Sequence, residues 1–296
     1  MKRIPLLLAA LGVVSAAAYA APELTVTNFG QSIETENVSG GNDINDLWLW
    51  NTVGLKYNDW SFGLTAGKQW AVDFDDHDGG YTQGITSDDS RLQFDVSKPV
   101  TENLTLRGRY RGQKTYDRFQ LGYKYTFGMF TSEGDIFYDF DDTNNGKDNP
   151  DSFHAELLPI AVSYGPVKLA YYFEYVKQLG ERSYGEKEDY YDHQLRAYAT
   201  LYKGEKLTLS TEGRFTIMSD ESWKDGEKGK ATPYRHYDDF GRNRLYLKAN
   251  YAVSENLDVY GSFGYEMREW KLENGKTDDK TEKYWSNVVI GYNYKF

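Results

Sequence analysis

The stretch RLYLKANYAVSENLDVYGSFGYEMR, Arg244 to Arg268, decides how the rest of the chain is read. In an extended strand successive side chains point to opposite faces. Leu245, Leu247, Ala249, Tyr251 and Val253 therefore share one face, against Arg244, Tyr246, Lys248 and Asn250 on the other. After Ser254-Glu255-Asn256 the alternation resumes, with Leu257, Val259, Gly261, Phe263, Tyr265 and Met267 opposed by Asp258, Ser262, Glu266 and Arg268. Two such runs with so short a join predict a β-hairpin. Its two faces demand two solvents, one apolar and one aqueous.

The same pattern closes the chain in SNVVIGYNYKF, Ser286 to Phe296, where Val288, Ile290, Tyr292, Tyr294 and Phe296 share a face. It recurs in a chain whose mean hydropathy is only -0.71. With 26 Tyr, 15 Phe and 7 Trp, aromatics reach 16%, too many for the interior of one soluble domain this polar. Tyr and Trp rings are at home at a membrane interface, apolar on one side and wet on the other. Lipid-facing and lumen-facing residues that alternate average out in any hydropathy window, which is the signature of a transmembrane β-barrel.

The N-terminus agrees. Lys2 and Arg3 precede an apolar run, Ile4 to Val14, and Ala18-Tyr19-Ala20 is an A-x-A cleavage site. Residues 1–20 are therefore expected to be a cleaved signal peptide and 21–296 a single barrel domain. The apolar run falls short of the roughly 20 residues a spanning helix needs. Losing Lys2 and Arg3 takes the basic count from 34 to 32 against 45 acidic residues, and the formal net charge from -11 to -13. That balance speaks against nucleic acid as a partner. With no cysteine there is no disulfide framework, thiolate metal site or cysteine nucleophile.

Fourteen candidate strands follow, near 23–36, 44–57, 60–72, 89–98, 104–114, 118–127, 130–140, 152–164, 167–180, 190–202, 207–219, 242–253, 257–272 and 284–296. Short joins, such as Asn58-Asp59, Gly128-Met129 and Gly165-Pro166, alternate with long polar ones: 37–43, 73–88, 141–151, 181–189, 220–240 and 274–282. Short turns on one side and long loops on the other are the outer-membrane barrel pattern. Segments 23–36 and 152–164 alternate poorly and the join at 115–117 is short, so twelve or sixteen strands stay open. The last strand is expected to close against the first, since an unpaired edge in hydrocarbon leaves backbone groups unsatisfied.

If apolar positions face lipid, the alternate ones line a wet lumen. These are Arg91; Arg107, Arg109 and Arg111; Lys124; Asp135 and Asp139; Glu174; Arg196; Glu212 and Arg214; Arg244 and Lys248; Glu266 and Arg268. A lumen of this many strands is too wide for side chains to fill. Two arrangements are open: a wall of opposed charge that orients solutes and sets ion preference, or a mutually neutralised wall that keeps the lumen wet. The sequence points to passage of small hydrophilic solutes, with no cofactor and no metal. Asp141 to Gly146 resembles a calcium loop only briefly, because Ser152 stands where the bidentate Glu belongs. Among the histidines, His154 beside Ser152 and His77 beside Asp75 could begin a catalytic pair, but no further spacing supports an enzyme.

The last sixty or so residues carry a family resemblance. Asp239-Phe240-x-Arg242, Leu245 with Tyr251, Leu257-x-Val259, Tyr265-Glu266 and the ending Gly291-Tyr292-Asn293-Tyr294-Lys295-Phe296 look similar to the outer membrane protein G-like family of monomeric, fourteen-stranded porins. The resemblance implies an outer-membrane location in a Gram-negative bacterium, contact with lipid and lipopolysaccharide, and passive uptake of sugars and ions through one chain. It also implies gating by the sixth loop, here Asp220 to Phe240, through a histidine pair. His236 matches one member; the other falls near Trp270, leaving Glu269 as the nearest substitute. Gly291, Tyr294 and Phe296 match the ending by which the barrel-assembly machinery recognises its clients. Arg107, Arg109 and Arg111 also suit a second class, the arginine-lined channels for acidic oligosaccharides, although the interleaved carboxylates do not. An adhesin or receptor barrel with acidic outer loops is the remaining alternative.

Overall fold

Wherever one-on, one-off alternation runs for nine residues or more, the chain is a strand. A computed structural model describes residues 23–38, 44–73, 84–141, 151–180, 187–223, 237–238, 240–268 and 284–296. They form β1 (Thr25–Val38), β2 (Ile44–Tyr57), β3 (Trp60–Asp73), β4 (Gly84–Pro99), β5 (Leu104–Gly112), β6 (Tyr116–Phe127), β7 (Phe130–Asp141) and β8 (Ser152–Tyr164). Then follow β9 (Val167–Gln178), β10 (Lys187–Lys203), β11 (Leu207–Trp223), β12 (Tyr237–Asp238), β13 (Arg242–Ala252), β14 (Leu257–Arg268) and β15 (Tyr284–Lys295). β12 is a two-residue stub paired with Met218 and Ser219 of β11. The other fourteen strands pair antiparallel with their neighbours and close into a ring, β1 against β15 and β10 against β11. No helix occurs among the described residues.

Fourteen strands is the expected count, and twelve and sixteen are set aside. The closure between first and last strands runs in unbroken register from Asn28 opposite Lys295 to Val38 opposite Trp285. Two-residue turns are made at Asn58, Gly128 and Gly165, with φ of 52°, 58° and 57°. Hairpin turns of this size need positive φ, which glycine and asparagine tolerate best. Gln113 to Thr115 is a real turn at the opposite rim, closed by the Gln113 amide donating to the Tyr116 carbonyl at 3.1 Å.

The apolar stripe lies outward. Leu121 and Ile290 keep 67% and 62% of their surface exposed, and Phe94, Leu169, Leu245 and Met267 are likewise exposed. Bare hydrophobic side chains in a closed ring are stable only against an apolar medium. The two poorly alternating strands have separate reasons. In β1 Gln31 falls on the outer face beside Ile33, where its amide donates to Asn51 at 2.6 Å and accepts from the Tyr292 hydroxyl at 2.8 Å. In β8 the register to β9 jumps between Leu157 and Ile160, across Leu158 and Pro159. A proline cannot donate to the ladder, and a bulge beside it resets which residues face outward.

Candidate functional site: the charged lumen

The inner face carries two kinds of wall. On β4 to β7 most arginines meet an aspartate or a side-chain amide one or two strands away. Arg109 Nε donates to Asp95 Oδ1 at 2.5 Å and Arg107 Nη2 to Asp135 at 2.5 Å. Arg118 holds both oxygens of Asp139, at 2.6 and 2.7 Å. Arg111 and Arg91 donate to the amide oxygens of Gln93 and Gln113, at 3.1 and 2.9 Å. Arg91 also lies over the Trp48–Trp50 stack, with Cζ 4.9 and 5.1 Å from the two rings. Lys124 sits opposite Glu133, which is held instead by Lys168 at 2.9 Å. In this sector Arg107, Arg109 and Arg118 are neutralised in place by aspartates, while Arg91 and Arg111 are held by amide oxygens alone.

From β7 to β14 the arrangement differs. Asp135 lies opposite Glu156, Glu156 opposite Glu174, and Glu174 opposite Asp192, so four neighbouring strands place four carboxylates in one row. The next row is basic: Arg196 opposite Arg214 and Arg214 opposite Arg244, ending on Glu266. Like charges directly opposite one another are destabilising in a sheet. Their presence marks a place where folding is not the only constraint.

Glu266 is the anchor of the basic row. Its side chain is 1% exposed and is gripped by Arg244 and Arg268 at 2.5 Å and Arg242 at 3.1 Å. Glu212 similarly accepts from Arg214 at 2.6 Å and Lys248 at 2.5 Å. Arg244 also packs 4.2 Å over Trp285. In the acidic row, Asp192 is fully buried and uses one oxygen for Gln194 at 2.6 Å, the Tyr190 hydroxyl at 3.3 Å and Arg242 at 3.5 Å, while the other has no hydrogen-bond partner. Glu174 accepts from the Tyr172 hydroxyl at 3.2 Å, and Glu156 makes no ion pair among the described residues. Between the two rows lies a polar cavity of about 340 Å³, lined by Glu156, Tyr172, Glu174, Gln194 and Arg196 on one side. Arg214, Thr216, Arg242, Arg244 and Glu266 line the other.

Every residue assigned to the lumen from sequence thus sits on the face opposite the apolar band. The reading that missed Glu156, Tyr172, Asp192 and Arg242 also missed what gives the second wall its character. Gly291 sits opposite Ser32 in β1, where a Cβ would come within 2.6 Å of Ser32 and of the Tyr260 hydroxyl. Tyr294 and Phe296 pack edge to face at 5.1 Å on the outer surface. Residues 1–22, His77, the 142–150 segment, His236 and Glu269 lie outside the described residues. The loop expected from Asp220 begins later, because β11 stays paired with β10, through register shifts, as far as Trp223.

Ser152, His154 and Asp139 do come together. Ser152 Oγ is 2.8 Å from His154 Nε2, and the same nitrogen is 3.5 Å from Asp139 Oδ2. A relay needs the acid on one imidazole nitrogen and the nucleophile on the other. Here both compete for Nε2, and Asp139 is already claimed by Arg118. This is a hydrogen-bonded cluster beneath the Phe137 ring, which stacks on His154 at 4.5 Å. Among the described residues no group of three or more His, Asp or Glu is placed to hold a metal ion.

No protein-family model matches the chain, and no curated protein matches it by sequence. Solved structures do match in shape. The chain has the fold of an outer-membrane channel. A bacterial polysaccharide outer membrane secretin superposes with TM-score 0.54 at 9% identity, covering 92% of this chain and 98% of that one. The TodX monoaromatic hydrocarbon channel, as a deltaS2 mutant, gives 0.54 at 10% identity over 93% and 91%. The CymD monoaromatic hydrocarbon channel gives 0.52 at 10% over 94% and 89%. At such identities the likeness is one of fold and carries no substrate.

Proposed function

We propose that this chain is an outer-membrane channel for passive diffusion of small hydrophilic solutes, sugars and ions among them. The observation that carries the reading is the pairing of an outward apolar band with an inner face charged on nearly every strand. Lipid selects the first, and only water can tolerate the second. Solutes move down their gradient, without cofactor or energy coupling, and the mid-lumen charges set what passes. The signal-like N-terminus and the terminal Phe296 support export and assembly into the outer membrane of a Gram-negative bacterium. The resemblance of the C-terminal residues to the outer membrane protein G-like porins supports a single-chain pore.

A channel for acidic oligosaccharides would need arginines free to meet carboxylates. Of the three arginines that suggest it, Arg107 and Arg109 are each already bound to an aspartate, and Arg111 donates to the Gln93 amide oxygen. An enzyme finds no support in the Ser152 cluster.

The test is single-channel recording of the refolded mature chain in a planar bilayer, at neutral and acidic pH. Single unitary steps are expected. Steps in threes would move the protein to trimeric porins, and closure in acid would point to the loop after β11. A correctly folded barrel without conductance would end the channel reading.

A further inference from the structure

We infer that the cavity between the acidic and basic rows is a selectivity subsite for small zwitterionic solutes of the α-amino acid class. The inference rests on the channel reading and specifies what that channel prefers.

Most charges around the cavity are already satisfied: Glu266 by its three arginines, and Arg214 by Glu212. Three groups are not. Glu156 and Glu174 face each other across β8 and β9 with no ion pair among the described residues. Arg196 donates through Nε to Gln194 at 2.9 Å, and its two terminal nitrogens make no hydrogen bond among the described residues.

Tyr172 holds these poles a fixed distance apart. Its hydroxyl reaches Glu174 at 3.2 Å, while the Arg196 guanidinium lies over its ring, Cζ 3.3 Å from the centroid. One tyrosine side chain therefore spaces an unpaired carboxylate pair from an unpaired guanidinium fork. A solute with an ammonium and a carboxylate a few ångströms apart satisfies both ends at once. Its ammonium relieves the repulsion between Glu156 and Glu174, and its carboxylate takes the two free guanidinium nitrogens as a bidentate pair.

Other small solutes fit less well. A calcium or magnesium ion needs several oxygens converging on one point, and no such group forms among the described residues. A neutral sugar would form hydrogen bonds but leave both poles uncompensated. An anion would be drawn to Arg196 and repelled by the glutamates beside it.

The test is osmotic swelling of proteoliposomes carrying the full mature chain, with L-glutamine against L-arabinose, a neutral solute of similar mass. At low salt glutamine is expected to enter faster by about tenfold, the lower end of what charge focusing in a cleft achieves. Glu156→Gln/Glu174→Gln should bring that ratio, read within one preparation, close to one. Arg196→Gln should do the same from the opposite pole. Equal rates in the wild-type chain would overturn the subsite and leave the channel standing. Failure of both solutes to enter would instead remove the channel reading. A glutamine preference that survives both variants would also overturn the inference, by placing selection elsewhere. If neither variant folds, glutamine-induced interruptions of the wild-type single-channel current, absent with arabinose, support the subsite; their absence counts against it.

Discussion

The β4–β7 wall and the β8–β13 wall are built from the same residue types on the same pleated surface, yet they use charge differently. In the first, three arginines are each answered by an aspartate, as in Arg109 with Asp95 and Arg118 with Asp139, and Arg91 and Arg111 rest on amide oxygens. In the second, acids and bases are sorted into separate rows, and Glu156 and Glu174 are left facing each other. A paired wall stabilises the barrel and stays almost silent to a passing solute. A sorted wall costs some stability and presents a field.

That contrast can be broken at its anchor. Glu266→Ala leaves three guanidiniums around an empty place, and removing one partner from buried charges costs about 3 kcal/mol or more. Urea denaturation of the refolded barrel, followed by tryptophan fluorescence, should show the largest loss of any single lumen substitution. A smaller effect is expected at the paired wall from Arg118→Lys. An ammonium cannot reproduce the two-pronged grip on Asp139 or the guanidinium stack on Phe137, so the same titration should fall by about 1 kcal/mol.

Glu174→Gln should sharpen the contrast. It removes a like-charge contact, so stability is expected to stay within about 0.5 kcal/mol of the parent. The reversal potential in a salt gradient should nevertheless move toward anions, which a substitution in a neutralised pair would not produce so cheaply. The mildest manipulation is salt. Between 0.1 and 1 M the screening length shrinks from about 10 to about 3 Å. Ion selectivity from the sorted wall should fade over that range, while the stability conferred by the partly buried pair of Arg118 and Asp139 changes little.

Much of this was legible in the residues. Period-two alternation located all fourteen long strands, because a membrane barrel enforces one apolar and one polar face along its whole height. In β8, where the alternation faltered, a bulge had changed the parity. Counting outward from the Gly165-Pro166 turn puts Glu174 opposite Leu157, and only the bulge between Leu157 and Ile160 moves its partner to Glu156. No composition or period reports a bulge, although four successive residues Leu157-Leu158-Pro159-Ile160 hint at one. Asp192 was within reach, since it shares parity with Gln194 and Arg196 on the same strand. Tyr172 was hidden for another reason: an aromatic among charges reads as girdle, and its place between Glu174 and Arg196 depends on the strand next door.

The seam between β1 and β15 joins the first strand to the last. The Phe296 amide donates to the Thr27 carbonyl at 3.2 Å, so the first and last strands meet at one rim of the ring. A ring whose ends touch has no privileged starting point. A circular permutant that links Phe296 to the start of β1 through a few flexible residues, and opens instead at Gly165-Pro166, should trace the same barrel in a different order. It would separate what the closed sheet requires from what strand order requires: folding in detergent, followed by tryptophan fluorescence, should survive the rewiring.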